Sequence, residues 1–123
     1  MLSLNSCFLS DEDVISTEDL LLGKWKISTY KENGTTPDTF NSCDLSTTIE
    51  FTTTEMLTDE FINENDTNNC ILNNSYSYSY FVENNEIKAN DIVIKIINLT
   101  TTTLELAVIE NNITINKTYE KLN

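Results

Sequence analysis

Residues 20–27 read Leu-Leu-Leu-Gly-Lys-Trp-Lys-Ile, a short apolar run that ends at a glycine and continues into a segment with the only tryptophan of the chain. A serine precedes the run with an acidic residue three positions later, which is typical of a helix start, and Gly23 is a typical helix stop. After the glycine, polar and apolar residues alternate, so that Trp25, Ile27 and Thr29 share one face. The stretch predicts a helix of one or two turns, followed by a strand whose tryptophan points inward.

Seven further segments downstream have strand-like patterns and are separated by turn residues. The most regular is residues 75–82, in which Tyr76, Tyr78 and Tyr80 alternate with serines. Asparagine pairs and an Asn-Gly pair between the segments tolerate the positive φ that tight hairpin turns require. Short strands joined almost entirely by hairpins are typical of an up-and-down barrel. The sequence therefore predicts an all-β fold, an eight-stranded antiparallel up-and-down barrel with a short N-terminal helix.

The same alternation predicts which face of each strand is buried. In the segment that begins at residue 56, it favours Leu57 and Phe61 as the inward pair. Glu50, Glu60 and Glu105 are predicted to point outward into solvent, because carboxylates are rarely buried without a partner.

Composition excludes several classes of function. The chain has 123 residues, one domain by length, with 20 acidic residues, seven lysines, no arginine and a net charge of −13. Such a surface repels phosphate, so neither DNA nor RNA is expected as a partner. Histidine is absent, which removes the commonest general base and the usual partner of a nucleophilic serine or cysteine. We expect no enzyme, no cofactor and no metal site.

The N-terminal segment differs from the rest of the chain. Residues 1–15 are polar and acidic without strand alternation, which predicts a flexible acidic tether ahead of a barrel domain over residues 16–123. Leu4-Asn5-Ser6-Cys7 resembles the end of a bacterial lipoprotein signal peptide, so Cys7 is a lipidation candidate. Only six residues precede it, so a complete signal peptide is not present as written, and an ordinary free cysteine is the alternative. No apolar run is long enough to span a bilayer, so membrane contact is expected only through such an anchor.

The other two cysteines, Cys43 and Cys70, are about 27 residues apart and lie among turn-type residues. This setting favours a disulfide between them over two reduced, buried thiols.

Several short motifs together resemble the bacterial lipocalin-like domains, small secreted or lipid-anchored members of the lipocalin and fatty-acid-binding group. In chain order they are Gly23-Lys24-Trp25, the cysteine pair around Ile49-Glu50-Phe51, Tyr80-Phe81-Val82-Glu83-Asn84-Asn85-Glu86-Ile87, Ile94-Lys95-Ile96-Ile97-Asn98-Leu99-Thr100, Leu104-Glu105-Leu106 and Tyr119-Glu120-Lys121. The resemblance implies a secreted protein or a cell-surface or outer-membrane lipoprotein of a bacterium. The larger lipocalins have an arginine near the C-terminus that stacks on the opening tryptophan. Lys117 or Lys121 is expected to make a weaker cation–π contact in its place.

The resemblance also implies a monomeric, non-enzymatic domain of the cell envelope that binds a small hydrophobic ligand inside its barrel. The candidate lining residues are Trp25, Ile27, Phe51, Phe61, Tyr78, Tyr80, Leu104, Leu106 and Tyr119. Aromatic residues at alternate positions are also what any β core needs, and a small barrel can be filled by its own side chains. The sequence favours that filled interior over a cavity, with Trp25 closing one end. A filled barrel would instead suit a protein-interaction or inhibitor module that contacts an envelope protein through residues 35–45 and 63–74.

Overall fold

The computed structural model describes residues 16–65 and 69–122. The predicted tether over residues 1–15, including Cys7, lies outside these residues, and both the tether and the lipidation of Cys7 stay predictions. Within the described ranges, a short helix precedes eight strands. The elements are α1 (Thr17–Leu21), β1 (Gly23–Glu32), β2 (Thr48–Phe51), β3 (Glu55–Asn63), β4 (Cys70–Glu83), β5 (Glu86–Ala89), β6 (Ile92–Leu99), β7 (Thr103–Glu110) and β8 (Ile113–Lys121).

Each strand pairs antiparallel with the next, and β1 also pairs with β8, so the sheet closes into a barrel. Closure leaves no unpaired sheet edge. The predicted eight-stranded up-and-down barrel with a short N-terminal helix is confirmed.

The helix and the first strand are joined by side-chain hydrogen bonds. Ser16 caps α1, with its hydroxyl accepting from the Asp19 backbone N–H at 3.1 Å. The Trp25 indole N–H donates to the Leu21 carbonyl at 2.9 Å, and both side chains are fully buried. One of the carbonyls left free at the end of a helix is therefore satisfied by the tryptophan, which fixes α1 against the barrel.

Asparagines form the tight turns, as the sequence predicts. Asn84 and Asn85 connect β4 to β5 with φ of 55° and 60°, and Asn111 and Asn112 connect β7 to β8 with φ of 52° and 67°. Two consecutive positive φ values define the hairpin turn whose twist matches that of the flanking strands. The high asparagine content is thus used by the connections of the barrel.

A disulfide joins Cys43, in the long connection between β1 and β2, to Cys70, the first residue of β4. This confirms the predicted pairing. Cys43 is fully buried and is followed by a single 3₁₀ turn, Asp44–Ser46. The bond ties the β1–β2 connection to the wall of the barrel.

On β3 two predicted orientations are wrong. Met56 is buried, and Thr58 and Glu60 lie on the interior face with it, whereas Leu57 is on the outer face. Phe61 also lines the cavity. The β-bulge at this point lies on β4, where Asn73 is the extra residue between the partners of Glu60 and Phe61 and reaches the cavity wall. Glu60, predicted as a solvated residue, is therefore an interior carboxylate.

Candidate ligand-binding cavity

One half of the barrel, next to α1, is packed solid. Trp25, Phe51, Ile87, Ala89 and Leu104 are each at most 2% exposed and form one cluster under the helix. Tyr80 extends the cluster: its ring meets that of Phe51 edge-on at 5.4 Å, and its hydroxyl donates to the Thr52 carbonyl at 2.6 Å.

Lys121 covers the tryptophan from the last strand. Its ammonium lies 4.5 Å from the centre of the Trp25 ring and donates to the Leu22 carbonyl at 2.6 Å. The predicted cation–π contact by a lysine is confirmed. Gly23 makes this approach possible, since a Cβ at that position would lie 2.7 Å from the Lys121 Cε.

We expect Gly23→Ala to destabilise the domain more than Gly34→Ala does. Both glycines have positive φ, 118° and 87°, so each substitution introduces backbone strain, on the order of 1–3 kcal/mol. Only at Gly23 does the new methyl also displace Lys121, because nothing lies within 4 Å of the corresponding position at Gly34. Urea unfolding of both variants, repeated in a Lys121→Ala background, checks this. The excess cost at Gly23 should shrink in that background, and an unchanged excess would contradict the explanation.

The other half of the barrel is hollow. A cavity of about 530 Å³ extends to the end at which β1 and β7 finish, at Glu32 and Glu110. Its apolar wall comes from several strands and includes Ile27, Ile49, Met56, Ile94, Leu106 and Ile115. The predicted filled interior is correct for the half next to α1 and wrong for this half.

An aromatic pair lies at the open end of the cavity. Tyr30 of β1 stacks on Phe40 of the β1–β2 connection, with ring centres 5.2 Å apart and planes within 7°. The Tyr30 hydroxyl donates to Glu32 at 2.8 Å, and the Lys117 ammonium lies 5.9 Å from the centre of its ring. Burial, followed by the hydrogen bond and charge of Glu32, raises the pKa of Tyr30 to about 12. The β1–β2 connection is thus held over the cavity by a neutral tyrosine.

The charged groups of the cavity are mostly acidic. Its described wall contains the carboxylates of Glu32, Asp44, Glu60 and Glu110, against the single ammonium of Lys117. None of these four carboxylates forms a salt bridge with a described residue. The cavity therefore has a wall that is part apolar and part polar, with an excess of negative charge among its described residues.

Glu60 faces two tyrosines of the same wall. Its charge is the main cause that raises the pKa of Tyr76, and it is the second cause, after burial, that raises the pKa of Tyr119. Tyr119 is only 3% exposed, and among residues 16–65 and 69–122 its hydroxyl has no hydrogen-bond partner. The cavity wall thus includes a half-buried carboxylate whose charge reaches a buried tyrosine that has no hydrogen-bond partner among the described residues.

A family model described as the lipocalin-like domain matches residues 21–106. The chain belongs to the lipocalin-like domain family. No curated protein and no solved structure gave a match. The lipocalin-like family is generally a non-enzymatic, ligand-binding type of fold, and its barrel interior is the place where a ligand would lie.

Two further observations concern the compartment of this lipocalin-like domain. Its disulfide indicates an oxidising, extracellular-type environment, because such bonds rarely persist in the cytosol. In the part of the chain that the structure describes, no helix has the length and apolar character needed to cross a bilayer.

The residues predicted to contact a ligand are divided between the two halves of this lipocalin-like barrel. Ile27, Phe61, Leu106 and Tyr119 line the cavity. Trp25, Phe51, Leu104, Tyr78 and Tyr80 lie instead in the packed cluster or against it. A role in ligand binding stays a prediction for all nine.

Several cavity residues were not among the predicted ones, notably Tyr30, Glu32, Phe40 and Glu60. A bulge in β1 between Ile27 and Thr29 explains why Tyr30 and Glu32 were missed. It turns Thr29 outward, against the prediction, and brings Tyr30 and Glu32 to the interior face. Tyr76 and Lys117 could have been found from the sequence, because each lies two residues from a predicted lining residue, Tyr78 and Tyr119 respectively.

Proposed function

We propose that this domain binds a small hydrophobic molecule inside its barrel, as a non-enzymatic binding protein of the bacterial cell envelope. The cavity is the observation that supports it. Ligand sites are usually clefts of about 300–1,000 Å³, and this cavity of about 530 Å³ has that size, with apolar side chains over about half of its wall. A secreted or surface-anchored, monomeric protein is the form we propose, in agreement with the disulfide.

The proposal predicts saturable, one-to-one binding of a neutral hydrophobic probe such as N-phenyl-1-naphthylamine. Ile94→Trp should weaken this binding by about tenfold, or ~1.4 kcal/mol, because the indole would occupy cavity volume. Fluorescence titration of the folded proteins measures both effects, with thermal unfolding as the check on folding.

Val93→Trp is the matched control. Val93 precedes Ile94 on β6, points to the outer face and is 48% exposed, beside an apolar groove that also includes Ile97 and Ile109. If the probe binds in the barrel, this variant binds as the wild type does. Loss of binding in Val93→Trp alone would place the probe on the outer groove and contradict the proposal.

Protein interaction through loops is the second candidate function. An exposed apolar cluster, formed by Ile62, Ile71 and Leu72, flanks the connection between β3 and β4 and favours it. Its other premise, a filled barrel, does not agree with the cavity. Ile62 also lines the cavity, so the test substitutes only Ile71 and Leu72 with serine. This double variant should abolish a specific complex with an envelope protein if this function holds, and should leave probe binding intact.

A further inference from the structure

Resting on the proposed function, we propose that the ligand of this cavity is an organic amine. It would have an apolar body against the wall and a protonated amino group between the Glu60 carboxylate and the Tyr119 hydroxyl.

The net negative charge of the cavity wall favours a positively charged ligand. Among the described residues, four carboxylates and one ammonium line the cavity. The ammonium of Lys117 is directed at the Tyr30 ring rather than paired with any of those carboxylates. A ligand with a carboxylate or phosphate head would meet net repulsion here, whereas a cation gains attraction that low dielectric strengthens. The net charge of −13 on the whole chain would also draw cations toward the barrel.

Glu60 supplies the anionic partner for such a head group. It lies on the interior face of β3, its polar neighbour is the Tyr76 hydroxyl, and among the described residues no lysine lies within salt-bridge distance. A carboxylate that is inside a cavity and lacks a cation is the complement of an ammonium group.

Tyr119 is the second, independent observation. The residue is buried and lines the cavity, and the charge of Glu60 acts on its hydroxyl, which has no hydrogen-bond partner within the described ranges. Buried hydroxyls are nearly always paired, with protein or with water, so this tyrosine of the cavity wall is able to accept a hydrogen bond from a bound group. An ammonium has three N–H donors, enough for the Glu60 carboxylate and the lone pair of a neutral tyrosine together.

The apolar wall and the aromatic pair suit the remainder of the molecule. Ile27, Met56, Ile94 and Leu106 surround the middle of the cavity, and Tyr30 stacked on Phe40 lies toward its opening. An alkyl or aryl chain would contact these side chains while its amino group lies at Glu60. Inorganic cations and short polyamines lack the apolar body and would make no contact with these apolar side chains.

The test compares three probes that differ only in the head group: decylamine, decanol and decanoate. Titration calorimetry below the micelle concentration of each probe measures the three affinities. Decylamine should bind at least about tenfold more tightly than decanol, and decanoate should bind more weakly than decanol. Glu60→Gln should remove the preference for decylamine over decanol, because the amide has no charge to attract the ammonium. Glu50→Gln, on the outer face of β2, changes the net charge equally and should alter neither affinity.

Tyr119→Phe separates binding from folding. It should weaken decylamine binding, and it should leave the unfolding temperature unchanged or higher, because the hydroxyl it removes has no partner in the protein. A fall in the unfolding temperature with unchanged amine affinity would overturn the role of Tyr119 at this site.

The outcomes also separate the inference from the proposed function. Equal affinities for the three probes, a preference for decanoate, or an amine preference that survives Glu60→Gln would each overturn the amine assignment and leave hydrophobic binding standing. Failure of both decanol and N-phenyl-1-naphthylamine to bind would overturn the proposed function together with the inference.

Discussion

Replacing Trp25 with alanine is expected to lower the free energy of unfolding by about 3 to 5 kcal/mol, the usual cost of truncating a large buried aromatic side chain. The indole is 0% exposed and donates to the Leu21 carbonyl, and its ring carries the Lys121 ammonium. The substitution would therefore leave a void in the packed half, an unsatisfied carbonyl in α1 and a lysine without its aromatic contact.

Two control variants identify the source of that loss. Trp25→Phe retains most of the buried area and should cost less than the alanine variant, with the lost hydrogen bond as its main effect. Lys24→Ala changes the preceding, exposed residue and should stay within about 0.5 kcal/mol of the wild type. Chemical unfolding followed by circular dichroism measures all three. A loss below about 1 kcal/mol in Trp25→Ala would contradict the packing described for this half.

The same variant tests the division of the barrel into two halves. Trp25 does not line the cavity. At a temperature where Trp25→Ala is still folded, it should bind N-phenyl-1-naphthylamine with nearly the affinity of the wild type. An intact fold that has lost binding would instead assign Trp25 to the ligand site.

The packed half of the barrel could be predicted from the sequence because its strands are regular. β1 pairs with β2 without interruption over Gly23–Lys26, so a period of two puts Trp25 inside as soon as the two lysines beside it are assigned to solvent. The same reasoning correctly placed Phe51 and Leu104. The capped helix and the asparagine turns were likewise predictable, since their signals are local.

The cavity half could not be predicted, because two β-bulges determine which side chains enter it. One follows Ile27 on β1, and the other is at Asn73 on β4, opposite Glu60 and Phe61; at each the alternation of the bulged strand changes face. A bulge depends on the partner strand as much as on its own residues, so no pattern along one strand reveals it. Tyr30 was missed for this reason.

Neither could the existence of the cavity be predicted. The empty volume depends on side chains from across the whole barrel, including short ones such as Thr58 on β3 opposite Tyr76 on β4. Alternation predicts which residues point inward and contains no information on whether together they fill the space between them.

Removal of the Cys43–Cys70 bond is the second large effect. The bond closes a loop of 27 residues, so the chain-entropy estimate assigns it about 3 to 4 kcal/mol of stability. The expected result is a fall of that size in the free energy of unfolding for the Cys43→Ala, Cys70→Ala double variant. Alanine is the appropriate replacement, because Cys43 is fully buried and serine would leave a hydroxyl there.

The disulfide should matter for binding as well as for stability, because of where it attaches. Cys43 lies three residues after Phe40, which stacks on Tyr30 at the open end of the cavity, and it is followed by Asp44 of the cavity wall. Without the bond to β4, this connection is held to the barrel by weaker contacts, such as the stacking of Phe40 on Tyr30 at 5.2 Å. The double variant should therefore bind the neutral probe more weakly than the wild type even where both are fully folded.

Chemical unfolding with and without reductant completes the test. Reductant should destabilise the wild type by about the same 3 to 4 kcal/mol and leave the double variant unchanged, since it has no Cys43–Cys70 bond to break. If the two wild-type curves coincide while thiol counting shows complete reduction, then the β1–β2 connection is held by its packing on the barrel. The loss of probe affinity should then vanish too, because Phe40 would stay over the cavity without the covalent tie.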